Sequence, residues 1–352
     1  MSWSPWADGE KEMNGVAKPI IIFLFLFCTL VVFFSCDFNE FPDYYSYLNW
    51  YELSISSTVN DNWVFVKDPG FYLLSVISNY FGFGVIGVIF SLFIISLSTK
   101  VFFCTKLLDR DVFLWVLLLY LSRLFIVHDL IQYRAGASIG LSALVVYFYL
   151  EKKKIKSFLF FCLAVSIHLS SLLTVLIVPI IWYLNRNIGK NLFRQMAMFI
   201  IILFLILVFD PYVNLLKLVA QFPIMHERIA PYLDGSYAVN NISILNGFVM
   251  IKFISYAIFF TWILKNNKTG LTIENYFIYL CFFISIIGLF LFLCFRSNDS
   301  LSIRFSDFFA FYDIIFFALL LNVFDMLGKL IYRYYLLLVI IIFFISSLKL
   351  MS

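Results

Sequence analysis

The sequence predicts an all-α fold, a polytopic transmembrane helical bundle of about 9–11 membrane segments. Three observations carry this reading. Hydrophobic residues make up 63% of the chain and charged ones 13%, with a mean hydropathy of +0.97, far outside the range of soluble domains. The apolar residues fall in runs of the roughly 17–25 residues that a helix needs to cross hydrocarbon. None of these runs alternates in the manner of a lipid-facing barrel strand.

Taken in order, the first run, 20–35, follows a mixed-charge segment and precedes SCDFNEF with no small-residue cleavage pattern, so it reads as a retained anchor. Crossings are expected at 19–36, 83–100, 112–128, 134–150, 196–210, 245–264, 275–295, 303–322 and 332–350. Lys152, Lys153, Lys154 and Lys156 in the loop 151–156, and Arg186, Lys190 and Arg194 in the loop 185–195, mark both loops as cytoplasmic. The apolar segment 157–184 between them must therefore enter the membrane and return. At 1.5 Å per residue it is too short for two full spans, which predicts a re-entrant or short-helix hairpin with His168–Ser171 at its tip. Irregular backbone at that depth is tolerated only where it is buried in protein or faces water.

With the N-terminus inside, the loop 37–69 lies outside, in keeping with Asp37, Glu40, Asp43, Glu52, Asp61 and Asp68 against Lys67. The other long outer loop is 211–244. No internal repeat and no second domain is found, so residues 1–352 read as one membrane unit. The cations are scattered between apolar runs, a pattern that suits a bilayer and not nucleic acid. The six cysteines form no C-x-x-C pair and read as small membrane-embedded hydrophobes.

Within these apolar stretches Arg123, His128, Asp129, Arg134 and His168 require a reason, because an ionisable group at membrane depth is costly and by default marks a functional site. On the expected topology Arg123, Arg134, Arg228, Arg296 and Arg304 all lie at or near the outer face, where the rule that explains the inner lysines does not place them. A guanidinium grips phosphate or carboxylate with a planar fork and keeps its charge in a partly dry setting, which suits a lipid-linked diphosphate at the outer leaflet. The alternative is local pairing, of Arg134 with Asp129, Arg228 with Glu227, Arg296 with Asp299 and Arg304 with Asp307. His168 is either a base or a buried neutral imidazole bonded to a backbone carbonyl near Ser170 or Ser171. Three isolated histidines offer no metal-ligand spacing, and no Gly-rich phosphate loop is present, so neither a metal nor another cofactor is expected.

The order of an acidic-aromatic outer loop, DPGFYLLSVISNYFG from Asp68, QYRAGASIGLSALVVYFYLEKKK from Gln132 and FLFFCLAVSIHLSSLLTVLIVPI from Phe158 resembles the EpsG-like branch of the Wzy-type polymerases. The resemblance covers roughly residues 20 to 325. It implies a bacterial inner-membrane enzyme that transfers a growing glycan from undecaprenyl diphosphate to the next lipid-linked repeat unit at the periplasmic face. A chain-length regulator and a flippase are its implied partner proteins. Carried over by position, the acid before the G-F-Y segment is Asp68, the helix-opening arginine is Arg134 and the histidine is His168. Where family members often have R-Q this chain has Arg134-Ala135, and a glutamate is common where Asp68 stands.

On this reading Arg134, Arg228, Arg296 and Arg304 hold the diphosphates, while His168 or Asp68 takes the acceptor proton. Two other readings use the same residues. A lipid-linked oligosaccharide flippase also needs cations for diphosphate but should show a cationic path through the membrane and internal pseudo-symmetry. A membrane O-acyltransferase would use His168 as base toward a cytoplasmic acyl donor.

Overall fold

The computed structural model describes residues 17–56, 64, 68–190, 197–198, 201–202, 205, 217, 221, 246–265, 271–272 and 275–348. Arg228, most of the crossing expected at 196–210 and the bulk of the loop 211–244 lie outside the described residues. All regular structure among the described residues is helical. Among the described residues seven helices are long and apolar enough to cross a membrane, and an eighth span results if the pair Asp299–Asp307 and Ala310–Val323, bent by 53°, counts as one. The chain packs as two compact units, residues 1–179 with 330–352, and residues 180–329.

The first unit opens with α1 (Ala17–Ser35) and a single 3-10 turn at Phe38–Glu40, started by Asp37, whose carboxylate accepts the Asn39 N–H. The expected outer loop carries the short helix α2 (Tyr44–Ser56). It is followed by α3 (Pro69–Tyr80), which begins at a proline whose fixed φ suits a first helical position. Gly82 and Gly84, with φ of 73° and 62°, make the left-handed turn into α4 (Gly84–Leu107) that a side chain would resist. Asp109 caps α5 (Arg110–Leu119) by accepting the Val112 N–H at 2.9 Å. The helix then continues with π geometry over Tyr120–Ile131 and stops at Gln132.

Next comes α6 (Tyr133–Leu150), whose Gly136, Ala137, Ser138, Gly140, Ser142 and Ala143 keep one stretch of helix thin. Small residues let neighbouring backbones approach in lipid, where packing and not hydrophobicity drives helix association. A Cβ at Gly140 would indeed strike Thr99 of α4. The last helix, Met326–Leu348, returns to this unit from residue 330 onward and runs parallel to α5 and its continuation. Arg333 pairs with Asp111 at 2.8 Å, and further along Ser347 donates to the Ser122 carbonyl at 3.2 Å.

The segment 157–184 forms a hairpin of two helical legs that meet at His168. The first leg is α7 (Lys154–Ile167), and the second is a 3-10 helix, Leu169–Leu176, that passes into α8 (Ile177–Arg186). Ser157 Oγ donates to the Val145 carbonyl and Thr174 Oγ1 to Ser142 Oγ, so both legs touch the same turn of α6. Uninterrupted helix between those two side chains would carry them about 25 Å apart. The chain therefore reverses between them, at the tip placed there from sequence. The first leg, about 21 Å long, falls short of the roughly 30 Å of hydrocarbon. The second reaches about 31 Å, because 3-10 helix rises about 2.0 Å per residue, a stretch the sequence argument at 1.5 Å per residue did not allow for.

In the second unit α9 (Gly247–Lys265) and α12 (Ala310–Leu319, ending in a 3-10 turn at Leu320–Val323) flank α10 (Tyr276–Cys294). Almost every side chain of α10 is buried, so it is apolar all round. Phe259, Phe282, Phe316 and Tyr256 interlock with ring centroids 5.0–5.9 Å apart. Asn298 caps α11 (Asp299–Asp307) by accepting the Leu301 N–H at 3.0 Å. The last helix, Met326–Leu348, completes the chain as α13.

Candidate functional site

Arg134 sits in the first turn of α6 and meets Asp68, at the head of α3, with Nη1 2.5 Å from Oδ2. Their side chains are 11% and 3% exposed, so the pair is nearly dry. This overturns the local alternative in which Arg134 pairs with Asp129: the partner is 66 residues away in sequence. Asp129 belongs to Lys100 instead. Breaking a dry ion pair is costly because it strands the surviving charge.

Aromatic rings close over this pair. The guanidinium carbon of Arg134 lies 3.7 Å from the centre of the Trp50 ring, 5.6 Å from that of Tyr47 and 5.7 Å from that of Phe71, within cation–π range of all three. Tyr47 OH accepts the Arg134 backbone N–H at 3.3 Å, which ties α2 to the start of α6. Burial pushes the Tyr47 phenol above its usual range while the Arg134 guanidinium pulls the other way, so the hydroxyl stays protonated at neutral pH. Among the described residues Arg134 Nε, Asp68 Oδ1 and the neighbouring Tyr133 OH are buried without a hydrogen-bond partner. One carboxylate oxygen, one guanidinium edge and one phenol are thus uncommitted at the same end of α6.

The hairpin brings His168 to this end. Ser157 bonds Val145 just after the turn at 151–153, and Ser166 lies against Gly70 at the head of α3, whose Asp68 holds Arg134, so α7 runs antiparallel to α6 and climbs back toward its first turn. The ten steps from Ser157 to Ile167 cover about 15 Å, the distance from Val145 back to Ala135. There α7 abuts the head of α3: a Cβ on Gly70 would lie 2.7 Å from Ser166 Oγ and 3.0 Å from the Ser166 backbone. His168 follows in extended conformation, with φ −155° and ψ 122°. Ser171 closes the tip, its N–H on the His168 carbonyl at 3.0 Å and its Oγ on the Ala164 carbonyl at 3.1 Å. Asp68, Arg134 and His168 are therefore gathered at one end of the first unit.

Arg304 is exposed on α11 and Arg296 lies in the turn before it, both in the second unit. Sequence reasoning missed two buried polar clusters. In the first unit Asp129 accepts from Ser96 Oγ and Tyr120 OH, with Lys100 Nζ at 3.1 Å. In the second, Lys252 Nζ lies 2.9 Å from Asp313, which accepts from Ser285 Oγ at 2.5 Å, and Ser285 bonds Tyr256 OH at 2.7 Å. The signal was present in the sequence. Lys252 and Asp313 each interrupt an expected crossing, Lys100 ends one, and Asp129 directly follows another.

The helices and this recessed, aromatic-capped pair define a multi-pass membrane protein with a polar site at one end of a helical bundle. A family profile matches residues 20–351, and the chain belongs to the EpsG family, a family of polysaccharide-polymerase-like membrane proteins. No curated protein and no solved structure matches the chain.

Proposed function

We propose that this protein is an O-antigen-type polysaccharide polymerase of the bacterial inner membrane, a glycosyltransferase that needs no metal. It moves a growing glycan from undecaprenyl diphosphate to a sugar hydroxyl of the next lipid-linked repeat unit at the periplasmic face, alongside a flippase and a chain-length regulator. The observation that supports this reading best is the Asp68–Arg134 pair under Trp50, with His168 delivered to the same end.

In the transfer the acceptor oxygen bonds to the anomeric carbon as the bond from that carbon to the diphosphate oxygen breaks. The electron pair leaves on the diphosphate, and the acceptor proton goes to His168. Diphosphate is already a good leaving group, so the main demand is to stabilise its growing charge, which a fixed guanidinium meets without a metal. Asp68 occupies one of the five N–H donors of Arg134 and orients the rest. Asp68 is thus better suited to hold Arg134 than to serve as the base. Arg228, Arg296 and Arg304 are proposed as further contacts to carrier phosphates.

The test is complementation of a deletion strain with Arg134→Lys or His168→Ala, followed by inspection of the surface glycan. A deletion that leaves single-repeat caps supports a polymerase, while absent glycan indicates a flippase and a full ladder lacking acyl groups an acyltransferase. Both variants should reach normal membrane levels yet lose long chains by about 100-fold or more, the scale expected when a preorganised donor or a base is removed. Wild-type ladders from both would refute the assigned roles.

A further inference from the structure

Close to Arg134 lies a polar knot that the proposed reaction does not touch. Asp129 accepts hydrogen bonds from Ser96 and Tyr120, and Lys100 Nζ stands 3.1 Å from its Oδ1 and 3.4 Å from its Oδ2. All four side chains are buried among membrane-spanning helices. Such a pair adds little net stability, since desolvation offsets the attraction and apolar residues of similar volume often do as well or better. What it does provide is a single register between the helices it joins.

Those helices are α4, the π-helical segment and, through its glycines, α6. A Cβ on Gly136 would strike the His128 carbonyl and the Asp129 carboxylate, and one on Gly140 would strike Thr99 and crowd the Ser96 carbonyl. Sliding α6 by one residue, about 1.5 Å and about 100° of rotation, brings Ala135 or Ala137 against the same carboxylate. The knot therefore sets both the height and the rotation of α6. Arg134 stands two residues from Gly136 on that helix.

We propose that Lys100 and Asp129 are positioning residues that fix Arg134 for glycan transfer, an inference that rests on the polymerase reading above. The second unit repeats the device. Its Lys252–Asp313 pair lies against Gly288, where a Cβ would be 3.4 Å from Lys252 Nζ and 3.1 Å from Phe309, at the 53° bend between α12 and the helix that carries Arg304.

The full-length protein in proteoliposomes, supplied with undecaprenyl-diphosphate-linked repeat units extracted from a polymerase-deletion strain, provides the test. In Lys100→Met/Asp129→Leu both charges are gone and the volume is kept, so the melting midpoint should hold while kcat falls about 10–100-fold and KM stays within about twofold. Tyr120→Phe keeps the ring and both charges and loses one hydrogen bond to Asp129, for an expected fall in kcat of about 3–10-fold. Should the double variant melt early, Tyr120→Phe decides alone. Wild-type kcat in a folded double variant or in Tyr120→Phe, beside an impaired Arg134→Lys, overturns the positioning role and leaves the polymerase reading standing. An unimpaired Arg134→Lys takes down both.

Discussion

At the scale of single residues the site depends on contacts that helical spacing does not reveal. Asp129 is the acid nearest Arg134 in that stretch of sequence, five positions away, yet the chain breaks helix at Gln132 and the two side chains serve different partners. Asp68 could be matched to Arg134 only through a family resemblance or a tertiary structure, since 66 residues separate them. Gly70 is a second residue of this kind. Its lack of a side chain lets the head of α3 rest on Ser166, two residues before His168. A methyl group there must push the backbone of α7, which is not a flexible side chain that can swing away. Gly70→Ala should therefore leave insertion intact and reduce polymer synthesis about 10–100-fold, because a shift of about 1 Å in a reacting group has that effect. Adding Ser166→Gly removes the hydroxyl that the new methyl meets first and should recover part of the activity. Glycan ladders and initial rates from the two variants check this, and equal activity of Gly70→Ala and wild type would separate His168 from the Asp68–Arg134 pair.

At the scale of elements most of the architecture was legible, because hydrophobic runs and loop lysines are written in composition and need no knowledge of packing. The expected crossings 83–100, 112–128, 134–150, 245–264, 275–295 and 332–350 correspond to Gly84–Leu107, Arg110–Ile131, Tyr133–Leu150, Gly247–Lys265, Tyr276–Cys294 and Met326–Leu348. The crossing 303–322 is instead a bent pair, broken at Phe308 and Phe309 between the partly polar α11 and the apolar α12. Helices that carry few charges also hid their own buried pairs, as Lys252 and Asp313 show. The hairpin followed from two basic loops with too little chain between them, whereas the 3-10 geometry of its second leg did not. Cysteines at positions 142 and 174, and separately at 145 and 157, should each form a disulfide in the membrane, since the native side chains or backbone at those positions are in hydrogen-bond contact. A bridge at 145–157 without one at 142–174 would mean that the second leg does not return along α6.

At the scale of the whole molecule the proposed chemistry requires the arginines to face the periplasmic side of the membrane. The nine expected crossings alternate, so the third and the ninth, 112–128 and 332–350, should start from the same side. Arg333 and Asp111, at the starts of those helices, are joined within the first unit. That surface pair is worth about 0–1 kcal/mol, so it reports geometry more than stability. Charge bias supplied the sidedness, and apolar length supplied the spans. Neither could supply the approach of Asp68, Arg134 and His168, which depends on packing among α3, α6 and α7. The most direct test is impermeant-maleimide labelling of single cysteines placed at 45, an exposed position on the helix whose Tyr47 bonds Arg134, and at 304, with 153 as an inner control, in a background lacking the six native cysteines. Positions 45 and 304 should react in cells with a permeable outer membrane and an intact inner one, while 153 should react only after lysis. Reaction of 45 and 304 only after lysis would contradict the proposed sidedness.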